Sequence, residues 1–443
     1  MAHRVLVARI AFVCAAIPAI AATAFARDPA PGMARAMAPA DARNEAPLES
    51  LALKNAEILF AARNRELLNA RRAVEAAEAQ TVAAGARPNP QLSFGSTGIN
   101  PSRGIGPGKY ADKSIDSTVR VDQVFERGGK RELRIAGARN LEIASREDLA
   151  AAERSQRIQL HAAYYDLLLA QERVQITAET TKLFDATMRA AELRLKTGDV
   201  AAADVARIHI DALRAQNDAR QAEADRVRAQ SMLAYMIGAE SEAGRLRVTG
   251  NWRGAADSLS GTQARLDEFI ARRPDVRAAQ ARVAAAQASR DLAKSLRTRD
   301  VSVGLQYERF PPDSSNTYGF GVSIPLFLNY NFEGEIRRAE VDLYSAQDDL
   351  ERVRAQARGE AGRTLSDARA AQERVERYRG SLLAEAGRAA DAAEFAYKNG
   401  ALGVMDLLDA RRVLRAIQVD AATAQADFAK ALSAWEIATG SAP

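Results

Sequence analysis

Residues 129–196 read GKRELRIAGARNLEIASREDLAAAERSQRIQLHAAYYDLLLAQERVQITAETTKLFDATMRAAELRLK, a stretch without proline and with Gly137 as its one internal breaker. At 1.5 Å per residue such a run makes a helix roughly 100 Å long. Helices of soluble globular domains rarely exceed about 25 residues, so this pattern predicts a coiled-coil or repeat helix. A second stretch, Glu335 to Lys398, has the same character. Shorter helical stretches are expected near 48–86, 199–238, 264–297 and 401–439, and two of them stacked match one long helix in length. They could lie antiparallel beside it.

Two strand regions interrupt the helices. Val301, Val303, Leu305 and Tyr307 alternate with Ser302, Gly304, Gln306 and Glu308, and Tyr318, Phe320, Val322 and Ile324 alternate with Gly319, Gly321 and Ser323. An earlier pair holds Leu92 and Phe94, then Val119 and Val121. Period-two patterning over about ten residues suits a strand between lipid and lumen, although one strand alone fits a soluble two-sheet sandwich equally well. Four strands are too few to close a membrane barrel, whose minimum is about eight, so lipid-facing strands require several copies in one barrel.

The pattern occurs twice. Lys196-Thr197-Gly198 and Lys398-Asn399-Gly400 are 202 residues apart, and the same offset brings Asp204 onto Asp406, Gln216 onto Gln418, Asp218 onto Asp420 and Gly238 onto Gly440. Upstream the offset is 209, placing Ala62-Arg63 on Ala271-Arg272 and Val74 on Val283. The expected organisation is a first repeat at 48–238, with strands at 90–98 and 115–126 and a helical tip at 197–205. A linker follows at 239–263. The second repeat spans 264–440, with strands at 301–310 and 317–327 and a tip at 399–409. Gly198 and Gly400 each end a long helix, where a left-handed cap is wanted and glycine bears no Cβ penalty, and Asp199 can cap the helix that follows.

Composition narrows the function. The 443 residues are 47% apolar, 27% charged and 6% aromatic, with a net charge of +5 spread over interspersed Arg and Asp/Glu. A nucleic-acid surface would concentrate basic residues, so nucleic acid is not an expected partner. One cysteine, Cys14, and three histidines, His3, His161 and His209, rule out a disulfide framework and a Cys/His zinc site. No catalytic constellation, cofactor site or resident metal site is expected. Residues 1–26 read as a signal peptide, with Arg4 and Arg9, an apolar stretch from Ile10 to Ile20, and Ala24-Phe25-Ala26 as the cleavage site. Residues 27–47, carrying Pro29, Pro31, Pro39 and Pro47, read as a flexible leader.

Several motifs then resemble those of one family. Arg272-Arg273-Pro274-Asp275-Val276-Arg277-Ala278-Ala279, Gly321-Val322-Ser323-Ile324-Pro325-Leu326-Phe327 and Gly400 through Asp406-Leu407-Leu408-Asp409-Ala410 are similar to segments of the TolC-like outer-membrane factors. Ala86-Arg87-Pro88-Asn89-Pro90 and Phe125-Glu126-Arg127-Gly128-Gly129-Lys130-Arg131 most resemble its heavy-metal, CzcC-type branch. The resemblance implies an α+β membrane channel: a homotrimer with four transmembrane strands per chain, closing a twelve-stranded barrel in outer-membrane lipid above a coiled-coil tunnel in the periplasm. It implies a periplasmic adaptor, the membrane fusion protein, and an inner-membrane resistance-nodulation-division (RND) pump as partners. It makes the channel a passive conduit, for heavy-metal cations or else for drugs or secreted proteins. It also assigns residues. Gly198, Asp199 and Gly400 would form adaptor-docking turns, and Asp406 and Asp409, three apart on one helix face, an acidic ring that favours cations at the inner mouth. Asp204 would join links that hold the helices closed, while Leu402 stands where the family often has a linking arginine. An exported coiled-coil scaffold or adaptor is the reading from a different class.

Overall fold

The computed structural model describes residues 48–100, 113–198, 200–254, 266–310 and 315–439, together with 102, 105, 106, 108, 109 and 259. Residues 1–47, including Cys14, and Asp199 lie outside the described residues. From the first described residue the chain forms α1 (Leu53–Arg63), α2 (Arg65–Ala84), β1 (Gln91–Thr97), β2 (Asp116–Phe125), α3 (Lys130–Thr197) and α4 (Ala202–Ile237). It continues with α5 (Leu266–Arg272), α6 (Pro274–Ser295), β3 (Val301–Phe310), β4 (Ser315–Ser323), α7 (Glu333–Arg377), α8 (Leu383–Lys398) and α9 (Val404–Thr439). The order helix, hairpin, long helix, helix thus occurs in both halves.

Four helical readings need refinement. The stretch 48–86 breaks at Asn64, which is 2% exposed. Its side chain accepts from the Leu67 N–H at 3.1 Å and donates to the Met236 carbonyl at 3.0 Å, so it caps α2 and pins α4 together. The stretch 264–297 breaks before Pro274, which opens α6 where its missing N–H costs nothing. The run 335–398 is two helices, because Tyr378–Leu382 form one π turn between α7 and α8. The last helix begins at Val404 rather than 401.

Helix packing rests largely on alanine. α3 packs against α2, α4, α6 and α9, and α9 against α7 and α8. One core joins Ala361, Leu365, Ala368, Ala371 and Val375 of α7 to Ala424, Phe428, Leu432 and Trp435 of α9. Small side chains let the helix axes approach closely, while Trp435 and Phe428, each 1% exposed, are the largest side chains buried there. The segment after α4 is strapped onto α3: Gln171 both donates to and accepts from the Val248 backbone at 2.9 Å, and Tyr164 donates to the Thr249 carbonyl at 2.7 Å. His161 pairs with Glu57 at 2.8 Å rather than lying alone.

The residue at the entrance to α6 ties three helices. Arg273, 5% exposed, donates to Asp275 at 2.7 Å and to Glu360 of α7 at 2.6 Å, and Arg154 of α3 reaches Glu360 at 3.3 Å. Burial pushes the Asp275 and Glu360 carboxyls up, but the Arg273 hydrogen bonds and the nearby Arg154 charge outweigh it and hold both below the usual range. Folded-state pKa values below the unfolded ones mean that the unfolded chain binds protons first as pH falls. This stabilisation is therefore present above the ordinary carboxylate range and is lost at lower pH, below about pH 4. Melting followed by circular dichroism at pH 7 and pH 3 should show a smaller acid-induced drop in Arg273→Met than in the natural protein. An equal drop in both would remove this network as its cause.

Candidate functional site

The four strands form one antiparallel sheet in the order β1-β2-β3-β4. Residues directly opposite one another in adjacent strands point to the same face, so the register sorts every side chain. Leu92, Val121, Leu305 and Phe320 form one cross-strand row, and Phe94, Val119, Tyr307 and Tyr318 the next. Below them on this face lie Val303 with Val322, and Val301 with Phe125. The opposite face carries Asp122, Gly304 and Gly321 in one row and Ser93, Arg120, Gln306 and Gly319 in another. Arg120 forms a two-bond fork on Asp122 at 2.7 and 2.8 Å and meets Gln306 at 3.5 Å. A Cβ on Gly304 would stand 2.6 Å from an Arg120 nitrogen, so this pair needs the glycine beneath it. Strand β4 ends at Ser323 rather than running to 327. Beyond it Pro325 has no N–H to donate to a ladder.

The other candidate site is the far end of the long helices. Gly198 ends α3 with φ +83° and donates back to the Arg194 and Leu195 carbonyls. Gly400 ends the turn after α8 with φ +76°. Among the described residues no atom of a non-adjacent residue lies within 4 Å of a Cβ built on either glycine, so a side chain there meets backbone strain and open space. Leu402 is half-buried and Asp204 pairs with Arg207 of its own helix at 3.9 Å. Asp406 and Asp409 are both exposed, in the first turns of α9, where helix N-terminal N–H groups favour negative charge. Asp409 holds Arg412 at 2.6 Å, and Arg412 also pairs with Asp211 of α4, which is 6% exposed. Three residues on, Arg415 pairs with Asp218 of α4 at 2.5 Å. Leu408, 1% exposed, inserts between Phe184 and Ala191 of α3 and Val205, Ile208 and Ala212 of α4. At this end an apolar plug and the Arg412 and Arg415 ion pairs thus join the two helical hairpins.

A chain with one apolar sheet face and paired long helices has counterparts among known proteins. Residues 59–239 and 266–441 match the outer membrane efflux protein family. The chain belongs to this family. It is 25% identical over 366 residues to the cobalt-zinc-cadmium resistance protein CzcC of Cupriavidus metallidurans, an alignment covering 82% of this chain and 84% of the relative. Its fold resembles that of CusC, with TM-score 0.72, 18% identity, and coverage of 87% of this chain and 91% of the other. It also resembles the Campylobacter jejuni CmeC outer membrane channel, with TM-score 0.75, 16% identity, and coverage of 88% and 85%. This chain is an outer-membrane efflux channel of the TolC-like fold. Among its described residues no helix is long and apolar enough to cross a membrane.

In this efflux protein the family resemblance draws attention to Asp406 and Asp409, and neither it nor the sequence pattern marks Asp211, Asp218, Arg412 and Arg415 as partners. Their signal is faint: Asp211 and Asp218 are seven apart and Arg412 and Arg415 three apart, each pair on one helix stripe. Nothing local says that stripes 200 residues apart in the chain meet.

Proposed function

We propose that three copies close their sheets edge to edge into one twelve-stranded barrel in the outer membrane, and that the long helices continue the duct through the periplasm. The observation that carries this reading is a four-stranded sheet with one apolar face and two edges, β1 and β4, without a strand beside them among the described residues of the single chain. Lipid tolerates no open edge, and the β4 edge of one copy pairing with the β1 edge of the next satisfies both. The two repeats then supply equivalent helical hairpins around the duct. The channel does no chemistry, and an inner-membrane RND pump with its periplasmic adaptor drives the flow.

The cargo proposed is a heavy-metal cation, on the strength of the likeness to CzcC. Six carboxylates from Asp406 and Asp409 around the trimer axis form the inner mouth, and this suits a cation. Links between copies through Asp204, together with the Arg412 and Arg415 pairs within each copy, hold that mouth narrow. Deleting the gene should raise cellular cobalt, zinc or cadmium on metal challenge, and restoring it should reverse the rise. Unchanged accumulation of all three metals with a functional adaptor and pump present would sink the metal reading while leaving the channel reading intact.

The turns at 197–205 and 399–409 dock the adaptor. Gly198→Leu with Gly400→Leu puts bulk into the space in front of both turns and adds about 1–2 kcal/mol of left-handed strain at each. Efflux should fall to the level of the deletion strain while membrane trimers persist. Normal adaptor crosslinking in the double variant would contradict the docking role.

A further inference from the structure

The apolar stripe on β4 does not stop where the strand stops. Tyr318, Phe320 and Val322 lie on the apolar sheet face, and Ile324, Leu326, Leu328 and Tyr330 continue at the same two-residue spacing. All seven are exposed, Leu328 at 82%, although the backbone after Ser323 is in no ladder and bends at 328–329. The hydrogen-bonded part of the stripe spans four residue rises, about 13 Å along the strand and about 10 Å of membrane thickness at the usual tilt. Outer-membrane barrels carry an apolar band about 25 Å tall, ringed by aromatic side chains. The lower segment supplies the missing height, and tyrosines stand at both of its limits, Tyr318 above and Tyr330 below.

The lower end is also a fixed structure with uncovered positive charge. Phe327 points the other way and packs edge-on against Phe332 at 5.0 Å, with the Arg299 guanidinium over its ring at 5.6 Å. Phe332 holds a left-handed φ of +63°, which turns the chain into α7. The local carboxylates are engaged elsewhere: Tyr330 donates to Glu335 at 2.6 Å and the Asn331 N–H to Glu333 at 3.2 Å. Asp300 takes Lys130 at 2.8 Å. Arg297, which donates to the Asn331 carbonyl at 3.3 Å, and Arg299 are exposed and have no carboxylate partner among the described residues.

We propose that Ile324, Leu326, Leu328 and Tyr330, with Arg297 and Arg299, form a seat for an anionic glycerophospholipid of the periplasmic leaflet. Acyl chains cover the aliphatic stripe and the phosphate headgroup meets the two guanidinium groups. The occupant follows from continuity with the lipid-facing sheet and from charge complementarity, since a cationic rim beneath an apolar belt fits an anionic headgroup. This inference rests on the barrel reading above.

The test uses the purified full-length protein. Phosphatidylglycerol retained after detergent exchange, measured by native mass spectrometry against phosphatidylcholine, should exceed it in the natural protein. Arg297→Gln with Arg299→Gln should cut that preference roughly tenfold. A bimane label at Leu328→Cys should be quenched by lipids brominated on their acyl chains. A preference unchanged in the arginine variant overturns the proposal. So does an unquenched label that instead crosslinks one copy to the next, because a neighbouring chain would then cover the belt. Absence of trimers in the natural protein would count against the barrel itself, and is read separately on a gel.

Discussion

Replacing Asp406 and Asp409 together by alanine is expected to raise single-channel conductance in planar bilayers several-fold and to cut the preference for cations, with trimers still formed. Asp406 is the freer of the two, exposed and without an ion-pair partner among the described residues. Asp409 shares Arg412 with Asp211, which Arg214 also approaches at 4.0 Å, so Asp409 and Asp211 have guanidinium partners and Asp406 has none among the described residues. Removing Asp406 therefore changes the field at the mouth more than removing Asp409. Removing Asp409 loosens Arg412 as well. Arg412→Ala tests the same site through a different bond. It leaves the buried Asp211 carboxylate with Arg214 of its own helix, at 4.0 Å, as its remaining ion-pair partner among the described residues, so the loss falls short of the about 3–5 kcal/mol of a fully buried broken pair. The mouth should then open with no acidic charge lost and one guanidinium removed, giving higher conductance at equal or greater cation preference. Unchanged conductance in both variants would mean that the constriction lies elsewhere.

The largest loss of assembled protein is expected from one charge on the apolar sheet face. Leu305, 63% exposed in the single chain, sits in the middle of that face between Val121 and Phe320. An arginine at the midplane of a barrel's lipid face costs about 2–4 kcal/mol per chain, and three copies multiply the penalty. Leu305→Arg should remove most heat-modifiable trimer from outer-membrane fractions. Thr317→Arg puts the same charge on the other face, opposite Glu308, and should insert normally. Equal insertion of both variants would show that the apolar face does not meet lipid.

Much of this arrangement is legible in the residues because it is local. A proline-free run of Ala, Arg, Glu and Leu makes a long helix wherever it lies, and Gly198 and Gly400 end helices because glycine accepts a positive φ without the Cβ penalty. Alternation at Val301–Tyr307 and Tyr318–Val322 survives as two faces of one sheet because pairing preserves it. The π turn at Tyr378–Leu382 leaves no such trace, since its residues would serve an α-helix equally well. The break at Asn64 is decided by a carbonyl on Met236, far away in the chain. The same holds for Arg412 and Asp211. Periodicity says that each stripe exists, and only the packing of α9 against α3 and α4, set by Leu408, says which stripes meet. Arg273 shows the intermediate case: its motif marks the start of the second half, but the reason, a buried guanidinium joining α3, α6 and α7, appears only once Glu360 is beside it.

That a single chain supplies four strands and needs two more copies to close a barrel is the claim on which the channel, its gate and its lipid seat all depend. Native mass spectrometry of the protein extracted from outer membranes measures it directly. A complex of three chains, stable in detergent and dissociated by boiling, is the predicted result. A single chain that leaves the membrane fraction without detergent would contradict it.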